Sequence, residues 1–358
     1  MRLLQAMAGA PVGGAENFFV RLTTAFARAG IDQRVVMRPE AKRVEVLREA
    51  GVPVVAARFG GRLDFLTGRK LGAEINRFGP DIVLSWMNRA TRFCPRLGNG
   101  ARFIHVGTPR GYYQSKFYRH CDHLVCTTDD LVDYFTGDGW PEANITKIPN
   151  FAPDSDDAAP ASRAAFDTPE DAPLLLALGR LHANKGFDTL LDVMAELPKH
   201  YLWLGGSGPL EASLKNQAAG LGVLDRVRFL GWRRDTPALF AAADAFVCSS
   251  RVEPFGNIII EAWAQRVPVV AANAAGPTSL IAEGTSGLLA PVDDAAALAR
   301  AIRRLDSEDG LAGKLATGGR TAYQADFTEQ AVVGRYLELF ERLGSFRPEL
   351  NHSDRAIL

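Results

Sequence analysis

The most distinctive chemistry in the sequence is a segment, E-P-F-G-N-I-I-I-E, that begins at Glu253. Glu253 precedes a Pro-Phe-Gly turn, so we expect its carboxylate to stand in a loop. Gly256 and Asn257 then open a predicted helix, whose first N–H groups point toward an anion. Glu261 follows one turn later in an apolar run, where an unpartnered carboxylate would be costly to desolvate. The segment predicts a ligand that combines an anion with paired hydroxyls, such as those of a ribose.

A second segment, G-R-L-H-A-N-K-G, places two cations, Arg180 and Lys185, five residues apart after a predicted strand. The planar arginine guanidinium can fork onto two phosphate oxygens, and the lysine ammonium supplies a compact charge. Together they suit a diphosphate, and they would neutralise the negative charge that grows on a departing phosphate. A pair of ordinary surface cations is the alternative.

Two glycine-rich turns also connect a predicted strand to a predicted helix. One, G-G-S-G-P, contains Gly206, and the other, A-G-A-P-V-G-G-A-E near the N-terminus, contains Gly14. Glycines let backbone N–H groups approach an anion at a helix N-terminus. Turn geometry alone explains the N-terminal loop equally well.

A stretch of the N-terminal half carries further polar candidates. The run F-I-H-V-G-T-P-R contains His105, Thr108 and Arg110, and the residues after it interleave bases with aromatic rings, including Lys116 and Tyr113. This mixture suits a sugar, a lipid phosphate or a membrane face. A half-buried amphipathic helix explains it equally well.

Short apolar runs alternate with helical stretches along the whole chain, which is typical of doubly wound α/β sheets. The predicted strands are 35–37, 81–85, 103–106, 123–127, 174–178, 201–204, 227–230, 245–247 and 267–271. A turn-rich, acidic stretch from Pro149 interrupts this alternation. We therefore predict two Rossmann-like domains facing across a cleft, with ligands beyond the strand carboxyl ends. The predicted bounds are 1–150 and 151–327, followed by a helix at 328–344 and a loose tail at 345–358.

Composition excludes several classes of protein. The chain has 358 residues, of which 47% are hydrophobic and 23% charged, as in globular proteins. Its four cysteines form no C-x-x-C pair, so we expect no structural zinc or other metal site and no disulfide framework. No apolar run approaches the ~18 residues that a membrane span needs. The first residues faintly resemble a signal peptide, but an amphipathic helix follows at once, and we expect a cytoplasmic protein.

The two halves differ in charge. Residues 1–152 contain 21 Lys and Arg against 14 Asp and Glu, whereas residues 153–358 contain 20 against 27. A basic half suggests an anionic partner, such as a phosphorylated acceptor or the acidic inner face of a membrane. Ordinary compositional drift explains the difference equally well. We expect no nucleic-acid partner.

The segment from Glu253 resembles the E-x-F-G-x(4)-E signature of retaining glycosyltransferases of the family 4 type, which have the GT-B fold. Further matches are G-R-L with K-G from Gly179, G-S-G-P from Gly206, and G-G-A-E from Gly13, so the resemblance spans nearly the whole chain. It implies transfer of a sugar from a nucleotide-diphosphate-sugar to a glycan or lipid-linked acceptor, for a cell-envelope polysaccharide or lipopolysaccharide. It also implies front-face attack, retention of anomeric configuration, no metal and no other cofactor, and a last helix that packs on the first domain.

The resemblance assigns roles to individual residues. Glu253 is the implied catalytic residue and binds hydroxyls of the transferred sugar. Glu261 binds the ribose, and Arg180 and Lys185 hold the diphosphate. The implied donor-binding set is Gly14, Arg180, Lys185, Gly206, Phe255, Gly256, Asn257 and Glu261. The acceptor-side candidates are Thr108, Arg110, Tyr113 and Lys116.

One position departs from the family pattern. Many relatives have a His-acid turn after an N-terminal strand, near the sugar, but here H-V-G-T follows without an acid. His105 is the catalytic candidate in this region if its side chain lines the site, and Thr108 is its substitute. If the strand continues past His105, the ring faces the core instead.

Other functions remain open from the sequence. A sugar-nucleotide epimerase or a phosphorylase would fit the same scaffold. A dinucleotide-dependent oxidoreductase would need an acid at the end of the second strand, about twenty residues beyond the glycine loop. The sequence there reads V-V-M-R instead, ending at Arg38. The residues do not identify the donor base, which we leave as UDP, GDP or ADP.

Overall fold

The computed structural model describes residues 1–10, 13–61, 64–95, 103–155 and 157–345. The chain divides into two compact units. The first contains residues 1–149 together with the C-terminal stretch from Gln330, and the second contains Asn150–Glu329. Residues 346–358 of the predicted loose tail lie outside the described residues.

The described part of the first unit contains one sheet of seven parallel strands, in the order β3-β2-β1-β4-β5-β6-β7. The strands are β1 (Arg2–Met7), β2 (Asp32–Met37), β3 (Val54–Ala56), β4 (Ile82–Trp86), β5 (Ile104–Thr108), β6 (His123–Cys126) and β7 (Ile145–Lys147). The helices between them are α1 (Gly14–Arg28), α2 (Ala41–Glu49), α3 (Phe65–Phe78), α4 (Met87–Phe93) and α5 (Asp129–Gly137). The strand order reverses between β1 and β4, which is the switch point of this sheet.

The described part of the second unit contains six parallel strands, in the order β10-β9-β8-β11-β12-β13. They are β8 (Leu174–Leu178), β9 (Tyr201–Gly205), β10 (Val227–Gly231), β11 (Ala245–Cys248), β12 (Val269–Ala272) and β13 (Leu288–Ala290). The helices are α6 (Phe187–Glu196), α7 (Glu211–Gly220), α8 (Thr236–Ala242), α9 (Asn257–Ala264), α10 (Ala275–Leu280), α11 (Ala295–Ser307) and α12 (Leu311–Asp326). The switch point of this sheet lies between β8 and β11.

The continuous apolar sequence of β8 follows from burial on both faces of the sheet. Leu175 and Ala177 belong to the core that contains residues of α6, whereas Leu174 and Leu176 belong to the core that contains residues of α9. Successive strand residues point to opposite faces, so each face receives every second side chain. Helices cover both faces, as a doubly wound sheet requires.

The last helix, α13 (Glu329–Ser345), belongs almost entirely to the first unit. The Tyr336 ring packs edge-on against Phe26 of α1, with 5.5 Å between the ring centroids. The centroid of the Phe340 ring lies 5.9 Å from that of the Phe26 ring. The apolar face of α13 is thus buried on α1. None of the described helices has the length and apolarity needed to cross a bilayer.

Three strands were absent from the sequence prediction. They are β3, β7 and β13, each of three residues and each at an edge of its sheet. A run of three residues is too short to display a period, and an edge strand is not buried on all sides. These strands form because a longer neighbour presents free backbone groups to them.

Candidate functional site

Two loops meet at the switch point of the second sheet. The loop after β8 carries Lys185, and the loop after the neighbouring strand β11 carries Glu253. The Lys185 ammonium lies 2.5 Å from the Glu253 carboxylate, although the two residues are 68 positions apart in the chain. Carboxyl ends of adjacent parallel strands lie at one sheet edge, where α/β proteins bind ligands. The structure thus joins one predicted cation and one predicted acid in a single site.

The pair is charged and partly shielded from water. The Lys185 side chain is 24% exposed and that of Glu253 is 13% exposed. Burial acts to lower the pKa of Lys185, but the Glu253 carboxylate outweighs it and the pKa lies above its ordinary value. Lys185 therefore keeps its positive charge at neutral pH and is available to an anionic ligand.

Two glycines allow the loops of this site to approach closely. Gly206, after β9, has φ +141°, and a Cβ there would lie 1.8 Å from the carbonyl oxygen of Gly179. Gly186 has φ +59°, and a Cβ there would lie 2.1 Å from the carbonyl oxygen of Ser249. Any larger side chain would push these backbones apart. Gly206, predicted to bring backbone N–H groups to an anion, therefore also determines how closely the loops after β8 and β9 pack. Gly186 does the same for the loops after β8 and β11.

The N-terminus of α9 is held in place by its neighbours. Gly256 is its N-cap with φ +103°, a conformation that favours glycine. Asn257 accepts a hydrogen bond of 2.6 Å from the Asn150 side chain. The Phe255 ring is buried. The Gly276 N–H donates to the Glu253 carbonyl oxygen at 2.7 Å, so α10 also fixes this turn.

The other two predicted donor ligands lie in the elements that follow the same strands. Arg180 is exposed, two residues beyond β8, and Glu261 is half-buried on α9. Glu261 stands one helical turn after Asn257, on the same face. Among the described residues, Arg180 makes no ion pair. The structure places both residues near the switch point, without joining them to each other.

The N-terminal loop is organised by a residue that the sequence analysis did not assign. Glu16 of α1 is buried, and its carboxylate accepts a hydrogen bond of 2.7 Å from the Ala10 N–H. A Cβ at Gly13 would lie 2.1 Å from that carboxylate. Ala10 and Gly13, the described residues on either side of this loop, therefore both lie beside an acid, and Gly14 begins the helix. The run G-G-A-E, which places this acid close to two glycines, is the sequence pattern that could have indicated the role of Glu16.

The prediction that His105 is catalytic does not fit the structure. His105 lies in the interior of β5, buried, with its ring Nε2 2.9 Å from the Ser85 hydroxyl. Burial lowers its pKa to about 4, so the ring is neutral at physiological pH. The strand continues three residues past His105 before it reaches the carboxyl edge. Thr108 is the residue at that edge, buried, and its hydroxyl has no hydrogen-bond partner among the described residues.

Arg110, predicted on the acceptor side, is instead held by packing. Its guanidinium lies over the rings of Trp86 and Phe18, 4.5 Å and 4.8 Å from their centroids. It also donates a hydrogen bond of 2.9 Å to the Tyr336 hydroxyl. Burial lowers its pKa. These contacts stabilise the packing of α13 beside the sheet. They also occupy most of the guanidinium surface that a ligand could contact.

The remaining acceptor-side candidates differ in environment. Tyr113 is half-buried, and burial together with the Glu16 carboxylate raises its pKa. Lys116 is exposed, with its ammonium 5.4 Å from the centroid of the Phe117 ring. The structure places Tyr113 near the N-terminal loop and leaves Lys116 open to solvent.

Comparison with known proteins adds to this geometry. Residues 12–155 match the family described as Glycosyltransferase Family 4, and residues 159–322 match the family described as Glycosyl transferases group 1. The lipopolysaccharide core biosynthesis glycosyltransferase LpsE of Rhizobium meliloti is 36% identical over 332 residues, which cover 91% of this chain and 95% of that protein. LpsD of the same organism is 34% identical over 92% of this chain and 95% of its own length.

The fold is also shared with solved structures. HepE of Anabaena, crystallised with UDP and glucose, superimposes with a TM-score of 0.81 over 96% of this chain and 100% of that one, at 21% identity. The two doubly wound units agree with the GT-B fold of such neighbours. The sequence signature, the fold and the near full-length relatives agree, and the chain belongs to the family 4 glycosyltransferases.

Proposed function

We propose that this chain transfers a hexose from a nucleotide-diphosphate-sugar to a glycan or lipid-linked acceptor in lipopolysaccharide core synthesis. The observation that carries the proposal is the contact between Lys185 and Glu253 at the switch point of the second sheet. The names of LpsE and LpsD support the core oligosaccharide as acceptor. The complex of HepE with UDP and glucose supports UDP as the first donor base to test.

In the proposed reaction, the bond between the anomeric carbon and the donor phosphate oxygen breaks. Negative charge grows on the leaving diphosphate, where the Lys185 ammonium, the Arg180 guanidinium and the N–H groups of α9 neutralise it. The acceptor oxygen forms its bond to the anomeric carbon on the face that the phosphate leaves, and its proton passes to that phosphate. The anomeric configuration is therefore retained, and protein cations supply the charge that a metal provides elsewhere.

The two acids have different proposed roles. A donor phosphate attracts Lys185 and frees the Glu253 carboxylate to accept hydrogen bonds from hydroxyls of the transferred sugar. Glu261 accepts bonds from the two ribose hydroxyls, because a half-buried carboxylate on an apolar helix is best stabilised by such donors. Gly206 and the turn of Phe255, Gly256 and Asn257 bring backbone N–H groups to the donor.

The decisive experiment separates the two members of the ion pair. Lys185→Gln should weaken UDP binding in calorimetry by about tenfold or more, because a charge-assisted hydrogen bond to phosphate is lost. Glu253→Gln should leave UDP affinity equal or higher, yet reduce transfer by about 100-fold or more. Lys215→Gln is the matched control, since Lys215 forms an exposed ion pair with Glu211 on α7.

Unchanged UDP affinity in Lys185→Gln together with unchanged transfer in Glu253→Gln would contradict the assignment. Nuclear magnetic resonance of the product checks retention, and an assay after chelation checks independence from metal. Incubation of the donor alone tests the epimerase and phosphorylase alternative, which predicts an epimerised nucleotide-sugar, or a sugar phosphate when phosphate is added.

We further propose that the protein works at the cytoplasmic face of a membrane, which it contacts through the first unit. Phe65 and Leu66, the first residues of α3, are 70% and 65% exposed. Arg58 and Arg69 are exposed close to them in sequence. Apolar side chains flanked by cations suit the boundary of an anionic lipid surface.

A further inference from the structure

The first unit contains a basic cavity that the proposed donor site does not use. It has a volume of about 390 Å³ and lies between α4 and the segment 115–120, which includes a 3₁₀ turn at Ser115–Phe117. Six of its lining residues are Arg92, Cys94, Lys116, Phe117, Arg119 and His120. The cavity is large enough for a single sugar ring with a charged substituent.

The charged side chains that line this cavity are all basic. Among the described residues, no carboxylate lines it, and Arg92, Lys116 and Arg119 form no ion pair. Asp122, the acid nearest in sequence to His120, accepts a hydrogen bond of 2.9 Å from the His105 N–H. Asp138 accepts from the Ser115 N–H at 3.3 Å. Cations gathered without a counter-charge repel one another, so an anionic ligand would stabilise them.

An aromatic ring holds two of these cations in place. The Arg92 guanidinium lies 5.3 Å from the centroid of the Phe117 ring, and the Lys116 ammonium lies 5.4 Å from it. Cation–π contacts of this kind orient the side chains before a ligand arrives. A guanidinium and an ammonium on one ring present a forked donor and a point charge, a combination that suits phosphate.

One side-chain contact links the cavity to the end of β4. Thr91 also lines it, and the Thr91 hydroxyl lies 2.9 Å from the hydroxyl of Ser85. Ser85 is the second-last residue of β4, the strand at the switch point. Ligands of doubly wound sheets bind beyond such strand ends, so an acceptor bound at that edge is the ligand that we consider for this cavity.

We propose that this cavity binds a phosphate group carried by the acceptor saccharide. The proposal rests on the proposed function, because it names the chemical class of the acceptor. Arg92 and Arg119 fork onto the phosphate oxygens, Lys116 adds a point charge, and the Phe117 ring contacts the sugar. A phosphorylated acceptor is thereby distinguished from its neutral counterpart.

Cys94 provides a reporter for the cavity that does not depend on activity. It lines the cavity and is half-buried, whereas the other three cysteines are buried. Burial raises the pKa of the Cys94 thiol to about 12, so labelling with N-ethylmaleimide near neutral pH is slow and proceeds through the small thiolate fraction. Glucose 6-phosphate near ten times its dissociation constant should slow the labelling of Cys94 about tenfold, because most sites are then occupied. Glucose should have no effect. UDP is present throughout to fill the donor site.

The double variant Arg92→Gln/Arg119→Gln should lose this protection. Exposed arginines outside the cavity give the control Arg48→Gln/Arg300→Gln, which should keep it. A calorimetric titration of glucose 6-phosphate onto the UDP-saturated protein gives a second readout with the same expected ranking. Equal protection by glucose, no binding of glucose 6-phosphate, or retained binding in the cavity variant would overturn the proposal. UDP affinity, measured separately, shows whether the donor assignment itself has failed.

Discussion

Arg110 and Tyr336 lie 226 residues apart in the chain, and the guanidinium of the first donates a hydrogen bond of 2.9 Å to the hydroxyl of the second. The same guanidinium covers the Trp86 ring. This bond joins the segment after β5 to the C-terminal helix. Arg110, which was predicted to contact the acceptor, therefore makes an internal contact instead.

Arg110→Met should therefore destabilise the first unit without altering donor affinity. Loss of the cation–π contacts and of a hydrogen bond to a charged donor should lower the free energy of unfolding by about 2–4 kcal/mol. Tyr336→Phe, which removes only the hydroxyl, should cost about 1–2 kcal/mol. Urea unfolding and UDP calorimetry measure the two effects. Normal stability with a raised acceptor KM in Arg110→Met would restore the acceptor role.

Gly206 should be intolerant of any side chain. In Gly206→Ala the new Cβ would lie 1.8 Å from the Gly179 carbonyl oxygen, at φ +141°. We expect a loss of about 2–4 kcal/mol in the free energy of unfolding and weaker UDP binding, since the loops after β8 and β9 must separate. Gly220→Ala is the matched control, because a Cβ there meets nothing within 4 Å. Similar stabilities for the two variants would show that the loops adapt.

The stability of the first unit should fall in acid partly because of His105. Its folded pKa of about 4 lies below the value of about 6.5 in an unfolded chain. The unfolded state therefore binds the proton first, and the free energy of unfolding decreases as the pH falls from about 6.5 to 4. His105→Gln removes this titrating group and should flatten the decrease by up to about 3 kcal/mol.

Hydrogen exchange of the β5 amides at several pH values measures this slope. Ser85→Ala is the control, because it removes the hydrogen bond to His105 and keeps the titrating ring. It should lower stability but preserve the slope. An unchanged slope in His105→Gln would show that other groups determine the acid response.

The surface at the start of α3 should determine membrane binding. Phe65→Ser/Leu66→Ser should reduce co-sedimentation with vesicles containing phosphatidylglycerol by about tenfold or more, since two large apolar side chains no longer insert. Leu221→Ser/Leu224→Ser alters exposed leucines of the second unit and should leave binding intact. Added salt should weaken binding of the parent protein. If both variants bind vesicles as well as the parent protein does, the start of α3 is not the membrane-binding surface.

The sequence alone determined the elements that local physics controls. Buried parallel strands need continuous apolar runs, so β8 and β11 were visible without the structure. The turn after Glu253 and the glycine at the N-cap of α9 follow from backbone preferences. Lys185 and Glu253 could each be placed after a strand for the same reason, and the family resemblance named both.

Only the tertiary structure decided which of these residues meet. Lys185 and Glu253 are in contact because β8 and β11 are neighbours in the sheet, although β9 and β10 lie between them in the chain. The orientation of His105 and the packing of Arg110 depend on partners from distant segments, which no local pattern encodes. Strand order and burial are properties of the assembled sheet. They make His105 a core residue and Arg110 a packing residue, although the sequence predicted a ligand contact for each.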